Sequence, residues 1–214
     1  MSTILIPTPD TPFFQTPNPD SEDGGQIISA DFRGSTDDAF AGSEGSDLIF
    51  AFNGDDAVVA GGGDDEVTAG NGNDSVDGGE GNDAIALGNG DDLGVGGLGD
   101  DVLDGGLGND QVFGGQGNDL VIGGSGDDTL SGGFGDDTLE GGKGADSFVF
   151  GAAGTGVDTI IGFNPEEDQL VFEGIDPAVD VVYDPATGSL TIDGEEIAIL
   201  DTGLALDEDD FTFL

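Results

Sequence analysis

An aspartate returns at every ninth residue from Asp38 to Asp146 without one insertion or deletion. Thirteen nine-residue units fill residues 33–149; counted so that this aspartate is position six, position four is glycine in twelve units, Thr36 being the exception. Position eight is apolar in twelve units (Phe40, Ile49, Val58, Val67, Val76, Ile85, Leu103, Val112, Val121, Leu130, Leu139, Phe148) and is Gly94 in the remaining one. A short fixed period of this kind marks a solenoid, whose units bury their apolar residues only by stacking on one another. A disordered Gly/Asp linker has no reason to hold three positions in phase through thirteen units.

Within a unit, the GGxGxD half is a turn: glycine reaches positive φ without a Cβ penalty, and Asp tolerates tight turns. The next three residues, such as Leu120-Val121-Ile122, suit a very short strand in which only the middle side chain points inward. Position eight is then the core residue, and two facing units make one coil. Odd units stack into one parallel sheet and even units into another, with a thin apolar seam between them.

The rest of the composition narrows the chemistry. Among 214 residues there are 47 Asp and Glu against Arg33 and Lys143, a formal charge of −45, and 43 glycines. Such a chain repels nucleic acid and anionic membrane surfaces, attracts cations, and stays expanded until it is neutralised. With no Cys and no His, disulfides, the usual zinc sites and thiolate or imidazole catalysis are excluded. No run approaches the ~20 apolar residues of a membrane span. The opening MSTILIPTPDTPFF has no basic region before its broken apolar run, so it does not read as a secretory signal peptide.

The register, written GGxGxDxUx with U a large apolar residue, resembles the motif of the repeats-in-toxin (RTX) family of calcium-binding nonapeptide-repeat proteins. The resemblance implies an all-β fold, a right-handed parallel β-roll of 18-residue coils with a C-terminal β cap. It also implies calcium held between turns two units apart. One turn would give the carbonyls of positions two and four and the Asp of position six. The turn two units on would give the carbonyls of positions one and three and its own Asp. The aspartates are Asp38, Asp47, Asp56, Asp65, Asp74, Asp83, Asp92, Asp101, Asp110, Asp119, Asp128, Asp137 and Asp146. The carried-over carbonyls are those of Gly79, Gly88, Gly97, Gly106, Gly115 and Gly124 at position two and Gly81, Gly90, Gly99, Gly108, Gly117 and Gly126 at position four. Those of the later turns are Gly96, Gly105, Gly114, Gly123, Gly132 and Gly141 at position one, and Leu98, Leu107, Gln116, Ser125, Phe134 and Lys143 at position three.

All-oxygen ligation suits a hard cation such as Ca²⁺, and a position three that varies freely is expected where only its carbonyl is used. Position five, Asp or Asn in 11 of 13 units, reads as facing solvent or supporting the ligands. Pairing each unit with the next but one allows up to about 11 calcium sites, the earliest weakened by Ser43 and Phe52 at position two.

Residues 1–32 precede the register, and Pro7, Pro9, Pro12, Pro17 and Pro19 argue for an extended lead. It reads as a flexible tail, with STILI and QIISADF as candidate strands, the second able to cover the first coil. After Val149, strands are expected at DTIIGF, DQLVFEG, VDVVYD, SLTIDG and EIAIL, with a hairpin at DPATG. GADSFVF, the DTIIGFNPEEDQLVFEG segment and the closing LDEDDFTFL resemble the region beyond the roll in serralysin-type proteases. That likeness implies that residues 150–214 cap the roll and carry an uncleaved signal for the type I secretion machinery. The zinc-binding HExxH of those proteases is absent, and no acidic pair stands out for catalysis, so enzyme activity is not expected.

The expected function is a secreted, extracellular or cell-surface structural protein that binds calcium. Its β-roll would fold on Ca²⁺ outside the cell and self-associate into a surface layer, matrix or filament. Apolar residues at outward positions seven and nine (Leu48, Phe50, Val59, Leu93, Val95, Val102, Phe113, Leu120, Ile122) are candidates for the contacts. The alternatives are a folding and secretion module of a larger exported protein, against which Met1 and the C-terminus speak, and an ice-binding solenoid. The latter needs regular Thr and Asn rows that position three does not supply.

Overall fold

The computed structural model describes residues 14–17, 26–29, 37–151 and 156–214. Through the repeats each unit yields one strand: β3 (Ala39–Ala41), β4 (Leu48–Asn53), β5 (Ala57–Gly62), β6 (Glu66–Asn71), β7 (Ser75–Glu80), β8 (Ala84–Asn89), β9 (Leu93–Leu98), β10 (Val102–Leu107), β11 (Gln111–Gln116), β12 (Leu120–Ser125), β13 (Thr129–Phe134), β14 (Thr138–Lys143) and β15 (Ser147–Gly151). Ahead of them lie β1 (Phe14–Pro17) and β2 (Gln26–Ser29). Beyond them lie β16 (Asp158–Ile161), β17 (Gln169–Glu173), β18 (Val181–Tyr183), β19 (Ser189–Ile192), β20 (Glu195–Ile199), a 3-10 turn at Glu208–Asp210, and β21 (Phe211–Phe213).

From β4 to β14 the strands are six residues long, twice the expected triplet, because the GGx of the next unit continues the ladder. Gly106 pairs with Gly124 and Leu107 with Ser125 in the same register as Leu103 with Val121. The glycine at position two makes this possible. Gly115, for example, has φ 122°, a value that bends the strand end toward the turn and that a Cβ would oppose.

Within the repeats, even strands form one sheet and odd strands the other, every parallel pairing joining a unit to the next but one. The stack is therefore a parallel β-solenoid of about seven turns, the two sheets facing each other across one core. Position eight supplies that core: Val58, Val67, Val76, Leu103, Val112, Val121, Leu130 and Leu139 are all buried. A second inward column, which the triplet reading did not anticipate, is position one. It arises from the longer strand, since positions seven, eight, nine and one alternate out, in, out and in. Ala51, Ala60, Ala69 and Leu87 occupy it and are fully buried. Leu87 also explains the one break in the apolar register. A Cβ built on Gly94 would lie 2.9 Å from Leu87 Cδ1, so at this point of the chain the large residue has moved from position eight to position one.

At the N-terminal end, β2 adds in parallel to β4, with Ile28 opposite Ile49 and fully buried, and β1 pairs antiparallel with β2. QIISADF thus covers the first coil through Gln26–Ser29, and the tail reading does not hold for those residues. STILI lies outside the described residues. At the other end, β16 and β17 extend the two sheets in parallel, Leu139 pairing with Ile160 and Phe148 with Leu170. The chain then turns antiparallel through β20, β19 and β18. The expected DPATG turn joins β18 to β19, Asp184 N–H donating to the Ser189 carbonyl at 2.8 Å. A second hairpin joins β19 to β20 through Asp193 and Gly194, whose φ values of 51° and 84° are both positive, as a type I′ turn needs. The Asp-Gly pair was its sequence signal. Phe172 gathers Phe150, Phe211 and Phe213, ring centroids 5.2–6.2 Å away, and closes the core.

Candidate metal centres

The position-six aspartates line the two edges where the sheets meet. From Asp47 to Asp146 none is more than 3% exposed. On one edge stand Asp38, Asp56, Asp74, Asp92, Asp110, Asp128 and Asp146; on the other, Asp47, Asp65, Asp83, Asp101, Asp119 and Asp137. From Asp56 to Asp146, each Oδ1 accepts from the backbone N–H of the aspartate one coil earlier, at 2.7–3.0 Å. The other oxygen is left over. Ten Oδ2 atoms, those of Asp56, Asp65, Asp74, Asp83, Asp92, Asp101, Asp110, Asp119, Asp128 and Asp137, are buried with no hydrogen-bond partner. A buried carboxylate oxygen without a donor is costly.

Burial accordingly pushes these groups up from 3.8, to about 7 at Asp65 and Asp101 and to about 6 at Asp74, Asp92, Asp119 and Asp128. Each bond from a backbone N–H pulls the other way, and neighbouring carboxylates add to the rise. Only a proton or a cation relieves that combination.

Between coils, main-chain oxygens face the same intervals. A Cβ on Gly115 would collide with the Gly97 carbonyl, and one on Gly117 with the Gly99 carbonyl, so both carbonyls point at the following coil. From that coil the Gly114 carbonyl points back: a Cβ on Gly96 would lie 2.6 Å from it and collide with Asp101 Oδ2. The Gln116 carbonyl also points back, accepting from Gly99 N–H at 2.7 Å. The groups named for Asp101 and Asp119 thus border one interval.

The same pattern surrounds Asp110 and Asp128, with Gly106, Gly108, Gly123 and Ser125, and Asp119 and Asp137, with Gly115, Gly117, Gly132 and Phe134. It holds for Asp83 and Asp101, with Gly79, Gly81, Gly96 and Leu98, and for Asp128 and Asp146, with Gly124, Gly126, Gly141 and Lys143. Between Asp92 and Asp110, the carbonyls of Gly88, Gly90 and Leu107 face in likewise. Side chains at position three point away, Leu98, Leu107 and Phe134 being exposed. No group of three or more His, Cys, Asp or Glu side chains converges among the described residues. Each interval brings two carboxylates, and its other oxygens are carbonyls, the donor set of a hard cation.

Position five has a role of its own. Its side-chain oxygen accepts from the backbone N–H of the position-five residue one coil later, as Asp100 does from Asn118 at 2.8 Å, while remaining at the exposed rim. The two ladders on each edge therefore run in opposite directions, position six bonding backward and position five forward.

The two ends of the aspartate ladder depart from the repeat. Asp47 Oδ2 accepts from the Ser43 N–H at 2.6 Å and lies 3.1 Å from its hydroxyl, so the serine at position two supplies the donors other units lack. Past the repeats the ladder continues to two aspartates that the register missed. Asp137 N–H donates to Asp158 Oδ1 at 3.1 Å and Asp146 N–H to Asp168 Oδ1 at 3.0 Å. Burial pushes Asp158 up to about 7. Spacings of 21 and 22 residues hid them from a nine-residue count, although DTII and DQLV repeat the Asp-x-apolar ending of a unit.

Fold and edges together define a parallel β-solenoid with two buried acidic ladders. The family model of the RTX calcium-binding nonapeptide repeat, four copies long, matches residues 32–67, 51–85, 59–94, 86–121 and 122–153. These matches cover more than half of the chain, which belongs to that family. No curated protein matches it. Among solved structures, the extracellular lipase LipA from Serratia marcescens aligns at 19% identity over 88% of this chain, with a TM-score of 0.30. The alignment spans 42% of that lipase. No helix among the described residues is long and apolar enough to cross a membrane.

Proposed function

We propose that this protein is an extracellular, calcium-dependent structural protein whose roll stays unfolded in the calcium-poor cell interior and folds after export. The observation that carries the reading is the set of ten buried, partnerless Oδ2 atoms, aligned along edges where main-chain carbonyls face in. In each interval the two aspartates and the position-one to position-four carbonyls would hold Ca²⁺, and the ion supplies the positive charge that lets the carboxylates stack. A core one or two residues deep per unit is thin for ordering nine backbones, so ion binding is the term that decides folding. The serine-capped Asp47 is expected to do without an ion.

Export by a type I machinery fits the same switch. Phe211–Phe213 pairs with β17 in the folded chain, so this strand is free of the sheet only before calcium arrives. Self-association is favoured by Val59, Val102, Leu107 and Phe134, each more than 40% exposed, and by β18 and β21, the last strands of their sheets. The protein is read as non-enzymatic. Calorimetric titration of the full chain with CaCl₂, followed by light scattering, tests the proposal. About ten bound ions and a mass above the monomer are expected; binding of none or one would contradict it, and a monomeric mass would remove the assembly part alone.

A further inference from the structure

We infer that Asn53-Gly54, Asn71-Gly72 and Asn89-Gly90 are modification sites at which the unfolded chain deamidates and so loses its ability to fold, while the folded roll protects them. The inference goes beyond the calcium reading and rests on it only for what switches the protection. Of the nine asparagines in the chain, only these three precede glycine. All three pairs fill positions three and four of their units. They stack coil on coil, Asn53 pairing with Asn71 and Asn71 with Asn89.

In an unfolded chain, the main-chain nitrogen of such a glycine can attack Cγ of the asparagine before it, since glycine has no Cβ to obstruct the approach. The new C–N bond closes a succinimide ring. The side-chain nitrogen leaves as ammonia, taking the proton that the glycine nitrogen gives up. Water then opens the ring at either carbonyl. One product is aspartate; the other is isoaspartate, whose main chain runs through Cβ. Either adds a negative charge to a chain already at −45.

The roll closes this route by hydrogen bonding. Gly54 N–H donates to the Asn71 carbonyl at 2.9 Å, Gly72 N–H to the Asn89 carbonyl at 2.9 Å and Gly90 N–H to the Leu107 carbonyl at 2.8 Å. Each attacking nitrogen is thus tied to the coil ahead. The target amides are held as well, Asn71 Nδ2 donating to Asn53 Oδ1 at 2.9 Å and Asn89 Nδ2 to Asn71 Oδ1 at 2.8 Å. Burial plays no part, because Asn71 and Asn89 are exposed. Once conversion has occurred, the same stacking opposes refolding. A Cβ on Gly72 would collide with the Gly54 carbonyl, and one on Gly90 with the Gly72 carbonyl, so the coils have no room for the longer main chain of isoaspartate. Aspartate at neighbouring sites would set like charges one above the other.

The full chain, held at mildly alkaline pH either in saturating CaCl₂ or in excess chelator, tests the inference by peptide mapping, with circular dichroism reporting the fold of each sample. Conversion at the three sites should be slower in calcium by about tenfold or more, because it follows the open fraction of the chain. Equal conversion in a folded and an unfolded sample would overturn the inference. Should the chelator leave the chain folded, dichroism alone refutes the calcium reading, and urea then provides the unfolded sample for the same comparison. Converted chain returned to calcium should recover less β signal as the converted fraction rises; full recovery by extensively converted chain would overturn the inference equally. A variant carrying Asn53→Gln, Asn71→Gln and Asn89→Gln, aged alike, should recover its signal, and Gln116 already stands at position three. Should that variant fail to fold before ageing, recovery of the unaltered chain against its converted fraction decides.

Discussion

From Asp56 to Asp137 each ladder aspartate divides its carboxylate, one oxygen tied to the coil before it and the other turned toward the interval ahead. Asp119→Asn keeps an oxygen for the Asp101 N–H but removes charge from the two adjoining intervals. Calcium affinity there should fall about tenfold or more, roughly 1.4 kcal/mol for each factor of ten, as calorimetry would show. Asn118→Ala is the contrast. It deletes the acceptor of Asp136 N–H, 2.9 Å away, and should cost about 0.5–1.5 kcal/mol in thermal stability with the ion count unchanged. Acid should act on the metal-free chain opposite to its usual effect. Asp101 rises from 3.8 to about 7 on folding, so between those values the folded roll holds more protons than the unfolded chain. Its stability therefore falls as pH rises through that window. Metal-free protein should gain strand signal in circular dichroism as pH drops from about 7 to about 4, while calcium binding weakens, because ions and protons compete for the same oxygens. Asp38 to Asp146 were legible because a nine-residue spacing needs no structure to be counted. Asp158 and Asp168 were not, because the inserted residues break the count while the coil geometry survives.

Among the strands, the two glycines of GGxG answer to different constraints. Gly115 sits at φ 122° with the Gly97 carbonyl where its Cβ would be, so Gly115→Ala should cost several kcal/mol, about 1–3 for the backbone alone. Gly114 faces the core at ordinary φ, and the chain itself carries Ala51, Ala60 and Ala69 at that position. Gly114→Ala should be the milder change, its effect read mainly as a weaker ion beside Asp119, whose Oδ2 must give way. Thermal unfolding in calcium separates the two variants. Leu87→Ala should cost roughly 2–5 kcal/mol, because Gly94 offers nothing to fill the space. Position eight was legible as core since it is apolar in twelve of thirteen units while its neighbours at positions seven and nine vary between polar and apolar. Position one was not, because glycine there has no side chain to show which way the backbone faces. The N-terminal strand Gln26–Ser29 was legible as a candidate cover for the first coil from its apolar residues, but the proline-rich flank argued equally for a flexible tail.

As a whole, the molecule combines a charge of −45 with a fold that lines carboxylates in two buried columns. Cations entering those columns would neutralise the charge where it is least tolerable, and the same event would order both sheets, because every coil shares its intervals with the next. The solenoid, its period and its acidic edges could be read from residues 33–149, since all three come from one repeated unit. The antiparallel closure after β16 was read as a set of strands with one hairpin, at DPATG, because the rest of its pairing depends on contacts between segments with no common period. The most direct test of the central claim is a far-ultraviolet circular dichroism titration of the full chain with CaCl₂, begun in excess chelator near neutral pH. The account predicts a largely unordered spectrum at the start and a cooperative rise of β signal as calcium reaches millimolar levels, reversed by EDTA. A full β spectrum in chelator, unchanged by calcium, would contradict it.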